Sequence, residues 1–203
     1  MTDFYSNTLI FSILSFVVAT AFSPGPNNLL LLSSGLTFGY RETLPLISGI
    51  MVGFPLMVVA VGLGIGELFQ IFPMLYNILK VVGIAYLLWM AWQIAQSKGS
   101  LATHKEAQPF TFLQSALFQW INPKAWIMAI TSTTSFINNE AEIQLQVLSI
   151  ALIYLVVGLF STHSWALGGV VLQKFIQKEK SLHIFNITMA LLILFSVLPF
   201  IFE

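Results

Sequence analysis

The distribution of charged residues constrains this chain more than any other feature of its sequence. Only 8% of the 203 residues are charged, whereas an ordinary soluble domain carries about 25%. The charges stand in clusters, and long runs between them hold no charge at all: 4–40, 43–66, 81–97, 143–173 and 181–202. A membrane-spanning helix needs about 20 mainly apolar residues. The spacing therefore predicts an integral membrane protein.

These runs, with a further one around Lys124, predict an all-α membrane protein of six transmembrane helices that form a single domain over residues 1–203. The helices are expected at 6–34, 44–66, 74–97, 110–137, 144–172 and 182–202. The first run could instead be a cleaved signal peptide, because Ala19-Thr20-Ala21 has the small residues of a cleavage site. The residues before it include Asp3 and no basic residue, which is unlike a signal peptide, so a membrane helix is the preferred interpretation.

Basic residues are concentrated in three predicted loops, which follow the first, third and fifth helices. They are Arg41, Lys98, Lys105, Lys174, Lys178 and Lys180. The opposite ends of the helices, where Lys80 is the one basic residue, carry Asp3, Glu67, Glu140, Glu142 and Glu203. Because cytoplasmic loops collect Lys and Arg, this asymmetry predicts that the three loops are cytoplasmic and that both termini lie outside.

Two proline motifs interrupt the predicted helices. The first is Ser23-Pro24-Gly25-Pro26-Asn27-Asn28, and the second is Ile121-Asn122-Pro123-Lys124. Each lies in the first helix of a three-helix half, with the halves at approximately 1–100 and 104–203. An odd number of helices per half makes the second half enter from the opposite side. The arrangement therefore predicts an inverted repeat.

The proline motifs also predict a binding site for an anion. Proline breaks the helix, and the half-helix that starts after each break presents free N–H groups and the positive end of its dipole. Asn27, Asn28 and Asn122 add side-chain amides, and Lys124 adds a charge that costs about 2.5–3.5 kcal/mol at the bilayer centre on insertion scales. Two such starts near the midplane would suit a carboxylate. The alternatives are a kinked helix without a ligand and, for Lys124, snorkelling or a private salt bridge.

The same motifs resemble those of the LysE/RhtB (lysine exporter/homoserine-threonine exporter) superfamily. The resemblance rests on the first proline motif followed by Gly39-Tyr40-Arg41 and Gly49, on Gly83-Ile84-Ala85-Tyr86-Leu87, and on Asn122-Pro123-Lys124-Ala125. It implies two inverted three-helix halves and the proton-driven export of amino acids or close derivatives across a bacterial inner membrane. It also implies a set of residues that line the transport centre: Pro24, Gly25, Pro26, Asn27, Asn122, Pro123 and Lys124.

One departure from that superfamily bears on the substrate. Exporters of basic amino acids in the superfamily tend to carry acidic residues within the helices, and this chain has none there; Glu67 lies at the outer end of the second helix. The departure argues against a cationic substrate. His163 and Glu67 are the candidate proton carriers. A histidine bonded to neighbouring helices explains His163 at least as well, and a solvated glutamate at the membrane interface explains Glu67 better.

Several other functions lack the residues they require. The chain has no cysteine, which excludes a thiol-relay electron carrier, and its helices hold no cluster of metal ligands or catalytic groups. We therefore expect a secondary exporter of small neutral amino acids or their derivatives rather than an enzyme, with no cofactor, no metal and no nucleic acid. The expected partners are the substrate, protons and the lipid bilayer, and copies of the chain could form a homo-oligomer. A channel, or an exporter of another small solute or ion, is the alternative.

Overall fold

The fold is described by a computed structural model, which covers residues 7–65, 71–96, 108–137, 142–176 and 179–202. The regular structure in these ranges is helical throughout, which confirms the all-α prediction. The eight α-helices are α1 (Asn7–Phe22), α2 (Pro26–Phe38), α3 (Tyr40–Ala60), α4 (Pro73–Gln96), α5 (Phe112–Ile121), α6 (Pro123–Phe136), α7 (Ile143–Phe175) and α8 (Glu179–Phe202). A short π-helical turn, Val61–Ile65, extends α3.

Not every helix is long enough to cross a bilayer by itself. Two are long and apolar enough by length and composition, Tyr40–Ile65 and Ile143–Phe175. A third span results if Thr8–Phe22 and Pro26–Phe38, which meet at an angle of 49°, are counted as one. Helices α4 and α8 contain shorter apolar segments, Asn77–Trp89 and His183–Phe195. That the chain crosses the membrane six times therefore stays a prediction.

Both proline motifs break their helices. Gly25 is fully extended (φ 176°, ψ 177°) and Pro26 occupies the first position of α2. Asn122 also lies outside the helical region, in the β region (φ −82°, ψ 108°), before Pro123 starts α6. The cause is local, because a proline ring clashes with a helical residue before it. Helix α3 runs through Pro45 and Pro55 without such a break, so proline alone does not decide where a helix ends.

The breaks lie between two clusters of buried apolar side chains. One cluster contains residues of α2 and α5, such as Leu31 and Phe118. The other contains residues of α1 and α6, such as Val17 and Ala129. Helices α3 and α7 contribute to both clusters. Each broken helix therefore changes from one cluster to the other at its proline motif.

Two glycines bring α2 and α7 into close contact. A Cβ atom added at Gly35 would overlap the carbonyl oxygen of Ala166, and one added at Gly169 would overlap that of Leu32. Backbones approach this closely only where no side chain intervenes. The contact ties α2 to α7 on the side of the first apolar cluster.

Helices α3 and α5 meet in the same way. A Cβ at Gly49 would overlap the Phe112 carbonyl oxygen, and one at Gly53 would lie 2.8 Å from the Cα of Ala116. Since α5, like α2, belongs to the first cluster, both close contacts lie on one side of the breaks.

The outer surface is apolar. Large apolar side chains are exposed on six of the helices, for example Phe11 of α1, Phe160 of α7 and Phe195 of α8, each more than 60% exposed. No large apolar side chain of α2 or α6 is exposed. Such a surface is suited to lipid, and the two helices that start at the breaks are enclosed by the others.

Candidate functional site

A cavity of about 60 Å³ lies where the two breaks meet. It has space for roughly four to six water-sized groups, which suits a small solute. Residues of both breaks line it together with the middle of α7: Gly25, Asn27, Asn28, Asn122, Lys124, Tyr154 and Ser161. Ile50, Phe54 and Met128 form apolar parts of its wall.

The cavity brings together most of the residues that the sequence singled out. The three prolines, Pro24, Pro26 and Pro123, are not in its lining; they shape the backbone on either side of it. His163 lies elsewhere, and Glu67 falls outside the described residues.

Lys124 directs its ammonium group at the first break. Its Nζ donates to the carbonyl oxygen of Ser23 at 2.8 Å, to Ser23 Oγ at 2.6 Å and to the carbonyl oxygen of Pro24 at 3.1 Å. These three acceptors match the three donors of an ammonium group, and all three are uncharged. The lysine side chain passes over Gly25, where a Cβ would lie 2.6 Å from Lys124 Cδ. A side chain at position 25 would therefore displace the lysine.

The last carbonyls of α1 receive further hydrogen bonds from side chains. Asn28 Nδ2 donates to the carbonyl oxygens of Ala21 and Ser23, both at 2.8 Å. Ser161 Oγ, on α7, donates to the Ala21 carbonyl at 2.7 Å. A helix end leaves its last carbonyls without partners in the helix. Here lysine, asparagine and serine side chains supply them.

The two half-helix starts differ. At α2 no side chain caps the N-terminus, and among the described residues the first backbone N–H of this helix with a partner is that of Leu29, which donates to Gly25 at 2.9 Å. At α6 Asn122 is itself the cap, and its Oδ1 accepts from the Lys124 N–H at 3.1 Å. The expectation of free N–H groups at both starts is thus wrong for the second, because an asparagine before a helix folds back onto it.

Gln119 is a site residue that the sequence analysis missed. Asn27 Nδ2 donates to Gln119 Oε1 at 2.7 Å, and Gln119 Nε2 donates to Asn27 Oδ1 at 3.2 Å. Gln119 is fully buried, and its Nε2 also donates to the Ser115 carbonyl at 2.9 Å. Its position three residues before Asn122, within the otherwise apolar stretch 116–121, could have indicated it, because an amide at membrane depth needs a partner.

Tyr154 is the second residue that was missed. It is 3% exposed, lines the cavity and packs its ring edge-on against Phe54 with centroids 4.9 Å apart. Its buried hydroxyl has no hydrogen-bond partner. The hydroxyls of Thr20 and Ser132 lie beside it, and each donates to a carbonyl of its own helix, so either oxygen could only accept from the tyrosine after a small shift. An unpaired buried hydroxyl is rare and calls for an explanation.

His163 lies away from the breaks. Its Nδ1 is 2.7 Å from the Leu159 carbonyl oxygen, and its ring packs against Tyr40 with centroids 5.9 Å apart. With Arg41 and Phe112 it lines a separate, open cavity at the start of α3.

Known proteins resemble this chain over nearly its whole length. The family model of the LysE type translocator matches residues 18–202. A cysteine/O-acetylserine efflux protein of Escherichia coli is 32% identical over 190 residues, which are 93% of this chain and 95% of that protein. A cysteine/O-acetylserine efflux protein of Klebsiella pneumoniae is 34% identical over 170 residues, 82% of this chain and 85% of that protein. No solved structure matches the chain.

The family match includes both proline motifs and all the residues named above as lining the cavity. It confirms the resemblance seen in the sequence, and the apolar helices agree with a multi-pass protein of the inner membrane. The family and these relatives are efflux transporters rather than enzymes. This chain belongs to the LysE type translocator family.

Proposed function

We propose that this protein is a secondary exporter of small neutral amino acids or their derivatives across the bacterial inner membrane. The observation that carries the proposal is the cavity at the two breaks, where the Lys124 ammonium lies beside the uncapped start of α2. A cation and the positive end of a helix dipole both favour a carboxylate. The efflux relatives support a substrate of the size of cysteine or O-acetylserine.

The substrate's carboxylate binds near Asn27 and Lys124 in this proposal. The space of about 60 Å³ favours a short side chain, and the apolar wall of Ile50, Phe54 and Met128 disfavours a charged one. Gly25 leaves room for the Lys124 side chain, Asn122 caps the start of α6, and Asn28 holds the end of α1.

Six spans in two inverted halves would give this site two routes of access. The first half would comprise α1 to α4 and the second α5 to α8, with both termini outside. The close contacts of α2 with α7 and of α3 with α5 would then lie in the cytoplasmic half of the membrane. Export requires these contacts to separate so that the cavity can load from the cytoplasm.

Proton coupling is the proposed energy source. His163 and Glu67 are the candidate carriers from the sequence. Because His163 lines a different cavity from Lys124, a proton on it would act on the site through the contact of α7 with α3 rather than directly. Replacing His163 with Gln tests this role by itself, since a glutamine cannot carry a proton and still offers a hydrogen-bonding side chain.

The test is export from proteoliposomes that contain only this protein. They are loaded with cysteine, O-acetylserine, serine, lysine or glutamate, and efflux is followed with and without a pH gradient. We expect efflux of the small neutral substrates that a proton gradient accelerates. Equal efflux of inorganic ions and amino acids, without any response to the gradient, would instead indicate a channel.

A further inference from the structure

We infer that the carbonyl oxygens at the end of α1 bind the ammonium group of the substrate, and that Lys124 occupies this position until the substrate displaces it. The inference rests on the proposed export of amino acids, because it assigns the place of one end of such a substrate. It starts from an exact match of donors and acceptors. The Lys124 ammonium has three N–H groups, and the two oxygens of Ser23 and the carbonyl of Pro24 accept all three.

These acceptors form a site for a primary ammonium group. The Ser23 and Pro24 carbonyls follow directly on the last turn of α1, where the helix dipole is negative and a cation is stabilised. Within the part of the chain that the structure describes, the acceptors of this ammonium are all uncharged oxygens, so they hold a cation by oriented dipoles. The α-ammonium of an amino acid has the same charge and the same three N–H donors as the end of a lysine side chain.

The site is accessible from the cavity. Lys124 is half-buried and lines the cavity together with Gly25. Its bond to Pro24 is the longest of the three at 3.1 Å and lies at an exposed atom. Gly25 has no side chain to cover the carbonyls. A substrate ammonium can therefore replace the lysine one hydrogen bond at a time, beginning at Pro24.

The neighbouring start of α2 supplies the other half of the site. Only Gly25 separates the carbonyl of Pro24 from Pro26, the first residue of α2, so the negative end of one helix lies next to the positive end of another. An amino acid bound with its ammonium at α1 and its carboxylate at α2 matches both. The displaced Lys124 stays in the same cavity and pairs with the carboxylate.

This exchange selects for zwitterions. A carboxylate without an ammonium group leaves the α1 carbonyls to Lys124, so the lysine is not released. An ammonium group without a carboxylate places a second cation beside the lysine, with nothing to neutralise it. Only a molecule with both groups satisfies the lysine, the α1 carbonyls and the α2 N–H groups together.

The experiment measures the binding of L-alaninamide, which has an ammonium group and no carboxylate, to purified protein at a mildly acidic pH. The parent should bind it poorly because Lys124 holds the site. Lys124→Ala removes the lysine and leaves its acceptors, and it should bind L-alaninamide at least about tenfold more tightly than the parent, as expected for charge-assisted hydrogen bonds.

Two controls separate this effect from a general change in the cavity. Lys124→Met removes the charge but keeps a stem over Gly25, so the gain should be much smaller. N-acetyl-L-alaninamide has no ammonium group, and its binding to Lys124→Ala should not increase. An equal gain for both amides, or no gain for L-alaninamide in folded Lys124→Ala, would overturn the inference.

A structure of the unmodified protein with a bound amino acid decides the same question without any variant. The substrate nitrogen should lie within hydrogen-bonding distance of the Ser23 and Pro24 oxygens, with Lys124 turned to the carboxylate. A lysine that keeps its three bonds while the substrate nitrogen lies elsewhere would refute the exchange. The proposed export is tested separately, since the parent's efflux in proteoliposomes does not depend on where the ammonium binds.

Discussion

Asn27 and Gln119 lie 92 positions apart in the chain and exchange two hydrogen bonds through their side-chain amides, at 2.7 and 3.2 Å. The pair links the start of α2 to α5, the helix that leads into the second break. It thereby fixes the two proline motifs relative to each other at the level of the cavity.

Replacing Gln119 with Met should destabilise the protein and impair export. The substitution keeps the length of the side chain but leaves the Asn27 amide without its partner, at a cost of about 1–3 kcal/mol. The measurement is thermal unfolding in detergent together with efflux from proteoliposomes. Gln144→Met, at an exposed glutamine of α7, is the matched control and should change neither. Equal melting temperatures for the Gln119 variant and the parent would show that the amide pair does not stabilise the junction.

Replacing both Pro24 and Pro26 with Ala should leave the protein in the membrane and abolish export. Without the two rings, α1 and α2 can join into one helix, which withdraws the Ser23 and Pro24 carbonyls from the cavity. Membrane fractionation measures insertion and the efflux assay measures export. Pro45→Ala, within the unbroken α3, should preserve export. Normal export by the double variant would place the transport site away from this break.

Gly169 and Gly168 are adjacent, but replacement by Ala should destabilise the protein at Gly169 only. A Cβ at Gly169 would overlap the Leu32 carbonyl, whereas a Cβ at Gly168 would make an ordinary contact with Leu32 Cδ1 at 3.5 Å. We expect Gly169→Ala to cost about 1–3 kcal/mol, as overpacking does, and Gly168→Ala to be tolerated. Melting temperatures of the two variants in detergent provide the comparison. Similar values would mean that α2 and α7 do not depend on this close approach.

Tyr154→Phe should separate stability from transport. The hydroxyl has no partner in the described conformation, so its loss should leave the melting temperature unchanged or raise it. We expect export to fall, because a buried hydroxyl at the cavity wall finds its partner in the substrate or in another conformation of the transporter. Tyr86→Phe, at a tyrosine that lines a different cavity, is the control. An unchanged efflux rate for Tyr154→Phe would assign the hydroxyl no role in transport.

The proposed orientation can be tested by cysteine labelling, since the chain contains no cysteine. A cysteine introduced at Lys178 should not react with a membrane-impermeant thiol reagent in intact cells, and should react after the cells are opened. A cysteine introduced at Thr2 should react in intact cells. The reverse pattern would place the Lys and Arg loops outside.

The sequence alone determined the local features of this protein. Charge-free runs set the positions of the helices, and their observed bounds differ from the expected ones by only a few residues. Proline geometry set the two breaks, because the clash of a proline ring with the residue before it does not depend on the rest of the fold. Lys124 could also be singled out from the sequence, because it is the one charge in an apolar stretch.

Only the tertiary structure decided what these residues contact. Lys124 binds oxygens 100 and 101 positions away. The pairing of Gln119 with Asn27 and the burial of the unpaired Tyr154 hydroxyl depend on how α2, α5 and α7 pack. Glycines such as Gly35 and Gly169 allow two helices to approach closely, but the spacing of residues along the chain does not encode which helix will lie opposite.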